Sequence, residues 1–355
     1  MEAAGGGAED EQVMSEVHLG CPPHFSGLLV SHFSFSSRPL GPYGHKGGGG
    51  GGGGSELVAA TSGSGGDSPD AVAVDEDGDL VLDRRRRNKY ARGDRHLFTI
   101  QHGVTSSLKS VGLQVWKAAL LLSDFILHES FSSPNFDGVT AIEIGLVGLA
   151  LARVARRIFV TDRGTDILDN CLANLHINSG MLRFDEAKVC VRELDWKMAW
   201  PPPVGTYDPS DPSRYLWSAS EVEEAEKATV LFAADVIYSD DLTNLFFNTV
   251  KKLMSVGAKK VLYLALEKRY NFSVDELDVV ANGYTHFRSF FTAQDEHGDP
   301  SNRSGPGFVG KQIDPAEIPQ YIREYERGKD LEMWMIMYSP EEKQHSNSTK
   351  TVFSF

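Results

Sequence analysis

Five short apolar runs in the middle of this chain each end in an acidic residue. They occupy residues 139–143, 157–162, 188–196, 230–235 and 261–267, and their acids are Glu143, Asp162, Asp195, Asp235 and Glu267. Runs this short, alternating with helical stretches, specify a parallel sheet covered on both faces. Ligands of such sheets bind beyond the carboxyl ends of the strands, where these acids fall. One acid after a strand carries little information. Five in the same relative place mark a polar rim suited to the hydroxyls of a nucleoside.

Charge separates this body from what precedes it. Residues 1–79 carry −10 of the chain's net −14, so the remainder is near neutral. Gly47 to Gly54 is an unbroken glycine run followed by a Ser/Gly/Asp stretch, a composition with nothing to bury. We therefore expect an acidic, Gly-rich leader over 1–96, a folded domain over 97–340 and a tail over 341–355. Within the leader, residues 13–35 are more apolar and suited to add a strand or hairpin to the body; the sequence leaves this open. No run of about eighteen apolar residues predicts a membrane span, and the first residues lack a signal-peptide layout. Cys21, Cys171 and Cys190 lack metal-ligand spacing and read as ordinary thiols. Arg84-Arg85-Arg86-Arg87 suits nuclear import or a solvated hinge equally, so the expected location is nucleus, cytoplasm or both. The near-neutral body gives no drive toward direct nucleic-acid binding.

Along the body, residues 111–130 place apolar side chains on one helical stripe, with Trp116 and Lys117 beside it. An Ala/Leu-rich helix should reach about Arg156, and another should span residues 165–178 and stop at Ser179-Gly180. Residues 197–227, with Pro201-Pro202-Pro203 and Glu221, Glu223, Glu224 and Glu226, read as an insertion outside the core. Ser239-Asp240-Asp241 starts a helix, Ser273 caps one running toward Phe287, and Ala316 opens a short one. The last strand, residues 331–338, follows without a crossover helix, so it should close the sheet antiparallel.

The segments Val111-Gly112-Leu113-Gln114-Val115-Trp116-Lys117, Glu193-Leu194-Asp195-Trp196, Leu231-Phe232-Ala233-Ala234-Asp235-Val236-Ile237-Tyr238, Glu267-Lys268-Arg269-Tyr270-Asn271-Phe272 and His286-Phe287-Arg288-Ser289 together resemble methyltransferase family 16, a group rich in protein-lysine methyltransferases. The resemblance covers about residues 97–338 and, weakly, 13–35. It implies a doubly wound α/β fold, the seven-stranded Rossmann-like methyltransferase sheet with an antiparallel final strand. It implies S-adenosylmethionine as cofactor and a lysine side chain of a protein as substrate.

Residue by residue, the resemblance sets Asp162, nineteen positions after Glu143, on the ribose hydroxyls. Asp195 and Trp196 flank the adenine, Trp116 packs nearby, and Glu143, Gly145 and Ala234 line the cofactor side. Asp235 and Tyr238 match the family's Asp-x-x-Tyr motif, bordering the methyl group and the incoming amine. Core packing is the lesser alternative for Trp116 and Trp196, whereas Glu267-Lys268-Arg269 reads more readily as a surface ion pair than as chemistry. One departure stands out. The family loop Glu-x-Gly-x-Gly-x-Gly-Leu is here Glu143-Ile144-Gly145-Leu146-Val147-Gly148-Leu149, about four residues shorter after Gly145. A shortened helix start can absorb this, since four residues are close to one turn of about 3.6. The alternative function is then a weakened or inactive relative serving as a binding module. A nicotinamide-dependent oxidoreductase ranks last, because Gly-x-Gly-x-x-Gly is missing.

Overall fold

The fold grows from one sheet whose strands are buried on both faces. In this computed structural model the described residues are 12–15, 17, 27–37, 95–144, 148–182, 188–198, 200–205, 212–273, 278–293 and 307–340. Apart from Arg95 they belong to one unit, 1–39 with 96–355; the second unit, 40–95, otherwise lies outside the described part, as do Gly145, Cys21 and the arginine cluster.

The chain opens with strands β1 (Gln12–Met14), β2 (Leu28–Ser36), β3 (Arg95–Gly103) and β4 (Thr105–Ser107). A 3-10 turn, Leu108–Leu113, leads to helix α1 (Lys117–Ser132), strand β5 (Thr140–Ile144), the short helix α2 (Gly148–Leu151) and β6 (Arg157–Asp162). Next come α3 (Thr165–Ile177), α4 (Ser179–Leu182), β7 (Val189–Glu193), α5 (Ala219–Glu226), β8 (Val230–Ala234), α6 (Asp240–Met254) and β9 (Val261–Glu267). The chain then forms the hairpin β10 (Asn271–Ser273) and β11 (Asp278–Val280), followed by α7 (Asn282–Arg288), β12 (Phe291–Ala293), β13 (Gly307–Ile313) and β14 (Leu331–Ser339).

The main sheet runs β12-β13-β14-β9-β8-β5-β6-β7. From β9 to β7 neighbours are parallel, and β14 is antiparallel to both β9 and β13. The expected seven strands are therefore present, with β12 added as a short eighth at the edge. Pairing aligns the acidic ends: Asp162 lies opposite Glu193, and the Asp235 amide bonds Ala265 O at 2.9 Å. Alternation along each strand divides the core in two. Ala141 and Phe232 face α1 with Phe125, Phe136 and Ile126, while Ile142 and Leu231 face α6 with Phe246, Phe247 and Trp217. Helix α6 suits its place: Asp240 and Asp241 sit in its first turn and Lys251 and Lys252 in its last, opposing the helix dipole.

Strands β2 and β3 pair with each other beside α3. Phe33 and Phe35 of β2 are buried, and Phe35 stacks on Phe98 with ring centroids 4.5 Å apart. Asn174 and Asn178, one turn apart on and just after α3, treat β3 as a neighbouring strand would. Asn174 accepts from Gln101 N (2.6 Å) and donates to Gln101 O (2.9 Å); Asn178 does the same with Thr99 N (2.9 Å) and O (2.7 Å).

Several sequence expectations are corrected. The helix expected from Val111 begins only at Lys117, because Gln114 is committed to β-structure: its amide donates to Val13 O (2.8 Å) and Val104 O (2.9 Å). The helix expected to reach Arg156 ends at Leu151, with turns after it. Helix α3 does end at Ile177, as expected, with Asn178 bonding Asn174 O at 2.7 Å, but Ser179-Gly180 opens the short α4 rather than a loop. Residues 197–227 are not a peripheral insertion throughout. Trp217 is fully buried, donates to Glu193 O (2.7 Å) and packs 5.0 Å from Phe159.

In that same segment α5 carries a capping box in which Ser218 and Glu221 serve each other's backbone amides. Its acids are neutralised underneath: Arg192 Nε donates to Glu221 at 2.9 Å and Arg157 pairs with Glu224 at 3.2 Å. The helix expected after Ser273 is the β10–β11 hairpin, with α7 starting only at Asn282. The helix expected from Ala316 does not form, because the buried carboxylate of Asp124 takes its amides. Oδ1 accepts from Tyr321 N (2.8 Å) and Ile322 N (2.9 Å), and Oδ2 pairs with Arg327 (2.7 Å) and accepts from the Tyr325 hydroxyl.

Candidate active site

The rim at the carboxyl ends of β5 to β9 gathers most of the residues picked out above. Asp162 ends β6, and its Oδ1 accepts from Arg163 N at 2.7 Å. Burial pushes its pKa up to about 6, against the pull of that single amide. Gly112, in the 3-10 turn before α1, lies directly across from it. A Cβ at Gly112 would stand 2.9 Å from Asp162 Oδ2 and 3.0 Å from Ile167 Cγ2, so glycine is what leaves the carboxyl a clear face. Glu143 is buried beneath. Gly148, the first residue of α2, lies so close that a Cβ there would meet the Glu143 carboxylate and stand 2.8 Å from Val160 Cγ2. Burial, then the charges of Asp162 and Glu143, hold the Cys171 thiol protonated.

Asp195 stands just past β7. Its Oδ1 accepts from Lys197 N at 2.9 Å and its Oδ2 pairs with Arg163 at 3.0 Å, which ties the β6 and β7 ends together. Arg163 is largely exposed, so this bridge orients more than it stabilises. Trp196 is half-buried and meets Phe246 of α6 edge-on, with centroids 5.3 Å apart.

At the β8 end, Ala234 pairs with Ala265 and is half-buried beside the α1 face of the core. Asp235 follows with φ 55°, a left-handed conformation that aspartate tolerates better than most residues. Its side chain is 1% exposed, and its Oδ2 is held by Arg269 Nη2 at 2.6 Å. The Arg269 guanidinium also lies 4.6 Å over the ring of Trp116, whose indole N–H reaches Val111 O at 3.3 Å. Lys117 and Glu267 close the same corner at 3.4 Å. Tyr238 stands at the mouth, 39% exposed. Partial burial, reinforced by the Asp162 and Asp235 carboxylates and opposed by Arg269 and Arg163, pushes its pKa up to about 12.

The structure therefore brings Asp162, Asp235 and Tyr238 to one rim, sets Trp116 against Arg269, buries Glu143 below, and places Asp195 and Trp196 on the β7 side. Gly145 lies outside the described residues. Sequence reading missed Gly112 and Arg269. Gly112 was visible only as one residue of a motif, and Arg269 looked like a surface charge because its partner is 34 residues away.

A family model described as lysine methyltransferase, family 16, matches residues 96–211. Methyltransferase-like protein 22 of Mus musculus is 35% identical over 280 residues, covering 77% of this chain and 66% of that protein. The Homo sapiens protein of the same name is 34% identical over 302 residues, covering 75% of this chain and 71% of its own length. The chain belongs to methyltransferase family 16. It spans about two thirds of the length of these curated relatives. Solved structures add only faint likenesses that carry no argument. A predicted O-methyltransferase of Agrobacterium tumefaciens has a TM-score of 0.32 at 14% identity, covering 62% of this chain and 80% of that one. The O-methyltransferase of Bacillus cereus has a TM-score of 0.32 at 12% identity, covering 61% and 80%.

Family membership makes this an S-adenosylmethionine-dependent methyltransferase, and the rim fits that cofactor. The cradle between Gly112 and Asp162, which a single Cβ would fill, leaves a half-buried carboxylate open to a pair of hydroxyls. Among the described residues there is no cluster of metal ligands, and no helix is long and apolar enough to cross a membrane.

A pH dependence follows from Asp162. Without ligand it titrates at about 6, and its charged form, which is acceptor-only, takes two hydroxyl donors far better than the acid, which carries a donor of its own. Ligand binding favours the carboxylate, so affinity is constant above about pH 7 and falls as pH drops through 6, by about tenfold per unit. Calorimetry across that range checks this; affinity that is flat down to pH 5 would remove Asp162 from the ribose.

Proposed function

We propose that this chain transfers the methyl group of S-adenosylmethionine to a lysine side chain of another protein. The observation that carries the proposal is the shared rim: Asp162 ends β6 and Asp235 follows β8, the two strands that flank β5, with Tyr238 exposed three residues further on. A ribose-binding acid and the Asp-x-x-Tyr pair thus share one mouth. The family description, lysine methyltransferase, supports the substrate class.

When bound, the cofactor supplies a methyl group on a sulfonium, which an unprotonated amine takes while sulfur keeps the electron pair of the broken bond. The protein's own part is to hold and to exclude. Asp162 accepts the ribose hydroxyls, Asp195 and Trp196 flank the base, and Glu143 supports the floor. Tyr238 keeps its proton at neutral pH, so it walls and orients the substrate nitrogen and does not act as a base. Asp235, engaged by Arg269, positions that corner of the mouth.

Incubation with radiolabelled S-adenosylmethionine and a cell extract tests the proposal. A discrete labelled band, with the label on lysine after hydrolysis, is expected. No labelled protein, or label on another residue type, would contradict it. The binding-module reading rested on the shortened loop, whose residues 145–147 lie outside the described part. Family membership supports the enzyme instead. A chain with Ala-Gly-Thr-Gly inserted after Gly145 is the control: if the short loop weakens cofactor binding, that chain binds more tightly. We also propose residence in nucleus and cytoplasm on the basis of Arg84-Arg85-Arg86-Arg87; a reporter carrying residues 80–96 that stays out of the nucleus would sink the nuclear part.

A further inference from the structure

A lysine enters such a site with a handicap. With an ordinary pKa of about 10.4, only about one lysine in a thousand is neutral near physiological pH. The two groups nearest the mouth do not remove the proton. Tyr238 keeps its own, and the Asp235 carboxylate is buried, with Oδ2 on Arg269 at 2.6 Å and Oδ1 toward Glu267 N at 3.5 Å. Of this ion pair, Arg269 is the member that reaches solvent. The Arg269 side chain is 37% exposed, while that of Asp235 is 1% exposed. Two contacts fix it: the ion pair behind it and the Trp116 ring 4.6 Å from it.

We propose that Arg269 delivers the substrate lysine as a neutral amine: its guanidinium, locked by Asp235 and Trp116 beside Tyr238, repels the ammonium form, so the side chain gives its proton to solvent as it enters. The inference rests on the lysine-transfer reading above. A fixed like charge within a few ångströms disfavours protonation, and lysines elsewhere are made nucleophilic beside another cation in this way. The balance is simple: the ammonium loses one proton to water, and no protein group changes its charge.

The surrounding charges leave Arg269 this role. On its own segment, Glu267 pairs with Lys117 of α1 at 3.4 Å and Lys268 with Glu332 of β14 at 3.0 Å. Asp330, before β14, accepts from the Tyr270 hydroxyl at 3.2 Å. From β6, Asp162 and Arg163 act on Tyr238 with opposite signs. Asp235 attracts Arg269 from behind and tempers its field, so the expected effect is about one pH unit rather than several.

The test is the pH profile of labelling, using as probe the labelled band from the extract. Rates are measured from about pH 6 to about pH 10 for the wild type, Arg269→Gln and Arg269→Lys. In Arg269→Gln the acid limb should move up by about one unit, with the rate recovering toward the wild-type plateau at high pH. Arg269→Lys keeps the charge and should keep the limb where it is. Cofactor binding measured by calorimetry on the same variants reports whether the rim is intact. An Arg269→Gln enzyme that binds cofactor normally but is slowed equally at every pH, or is silent throughout, would overturn the proposal by giving Arg269 a merely structural role. If Arg269→Gln does not fold, Arg269→Lys decides: a limb held in place supports the proposal, and a shifted limb overturns it. A wild type that labels no band at any pH contradicts the lysine-transfer reading itself.

Discussion

Replacing Asp235 with alanine should lower methyl transfer by at least about a hundredfold while leaving cofactor affinity within about threefold, the signature of a residue acting at the reacting end alone. The side chain does two things that alanine cannot. It holds Arg269 through a bond of 2.6 Å, and through Arg269 it holds the ring of Trp116. It also occupies a φ of 55°, where alanine is strained by about 1 kcal/mol. Asp235→Asn separates these effects, because asparagine accepts the backbone conformation but removes the charge. Loss of transfer in both variants places the effect in the carboxylate charge; loss in alanine alone places it in the backbone. Arg269 is more than a third exposed and can be solvated once its partner is gone, so the stability loss should be smaller than for a fully buried pair. Initial labelling rates with thermal midpoints on the same samples check this, and unchanged turnover would remove Asp235 from the site.

The largest stability effect belongs to Asp124, far from the chemistry. Its carboxylate is fully buried and holds the segment between β13 and β14 through two backbone amides, the Tyr325 hydroxyl and Arg327. Removing one partner of a buried pair leaves the other charged and dry, which costs about 3–5 kcal/mol. Asp124→Ala also strands two amides, so the upper end of that range is expected. For a domain of this size the midpoint should fall by about 10 °C or more. Asp124→Asn should recover little, because its amide group would present hydrogens to Arg327 or to the backbone donors. Denaturant unfolding of the three proteins measures the difference. A loss below about 1 kcal/mol would mean that the segment is held by its apolar residues Ile318, Tyr321 and Ile322 instead.

These two residues mark what could and could not be seen in the sequence. The parallel strands were legible because each is an apolar run too short for a helix, closed by an acid or a turn, and buried on both faces. Helix α6 was legible from its acidic start and its period. The antiparallel β14 followed from the absence of a crossover before it. The polar partners were not legible, because a side chain that answers a backbone group a hundred or more residues away leaves no local pattern. Asp124 with Ile322 spans 198 positions, and Gln114 with Val13 spans 101. The first of these pairs cancelled an expected helix. The second cut one short and left Gly112 facing Asp162.

The site shows the same division. Asp162, Asp235 and Tyr238 could be picked out because strand ends point at a known edge. Arg269 could not, since its role depends on which acid its guanidinium reaches. The acids of α5 read as part of an insertion outside the core, whereas Arg157 and Arg192 lie beneath them as partners.

A nucleoside cradle at the sheet rim, with Asp162 as its acceptor, is the claim on which the functional account stands. Titration of S-adenosylmethionine into the wild type and Asp162→Ala at about pH 8, followed by calorimetry, tests it. The account predicts one site in the wild type and affinity lower by about a hundredfold in the variant, the loss of two charge-assisted hydrogen bonds. Equal affinity in the two proteins, or no heat of binding in the wild type, would contradict it.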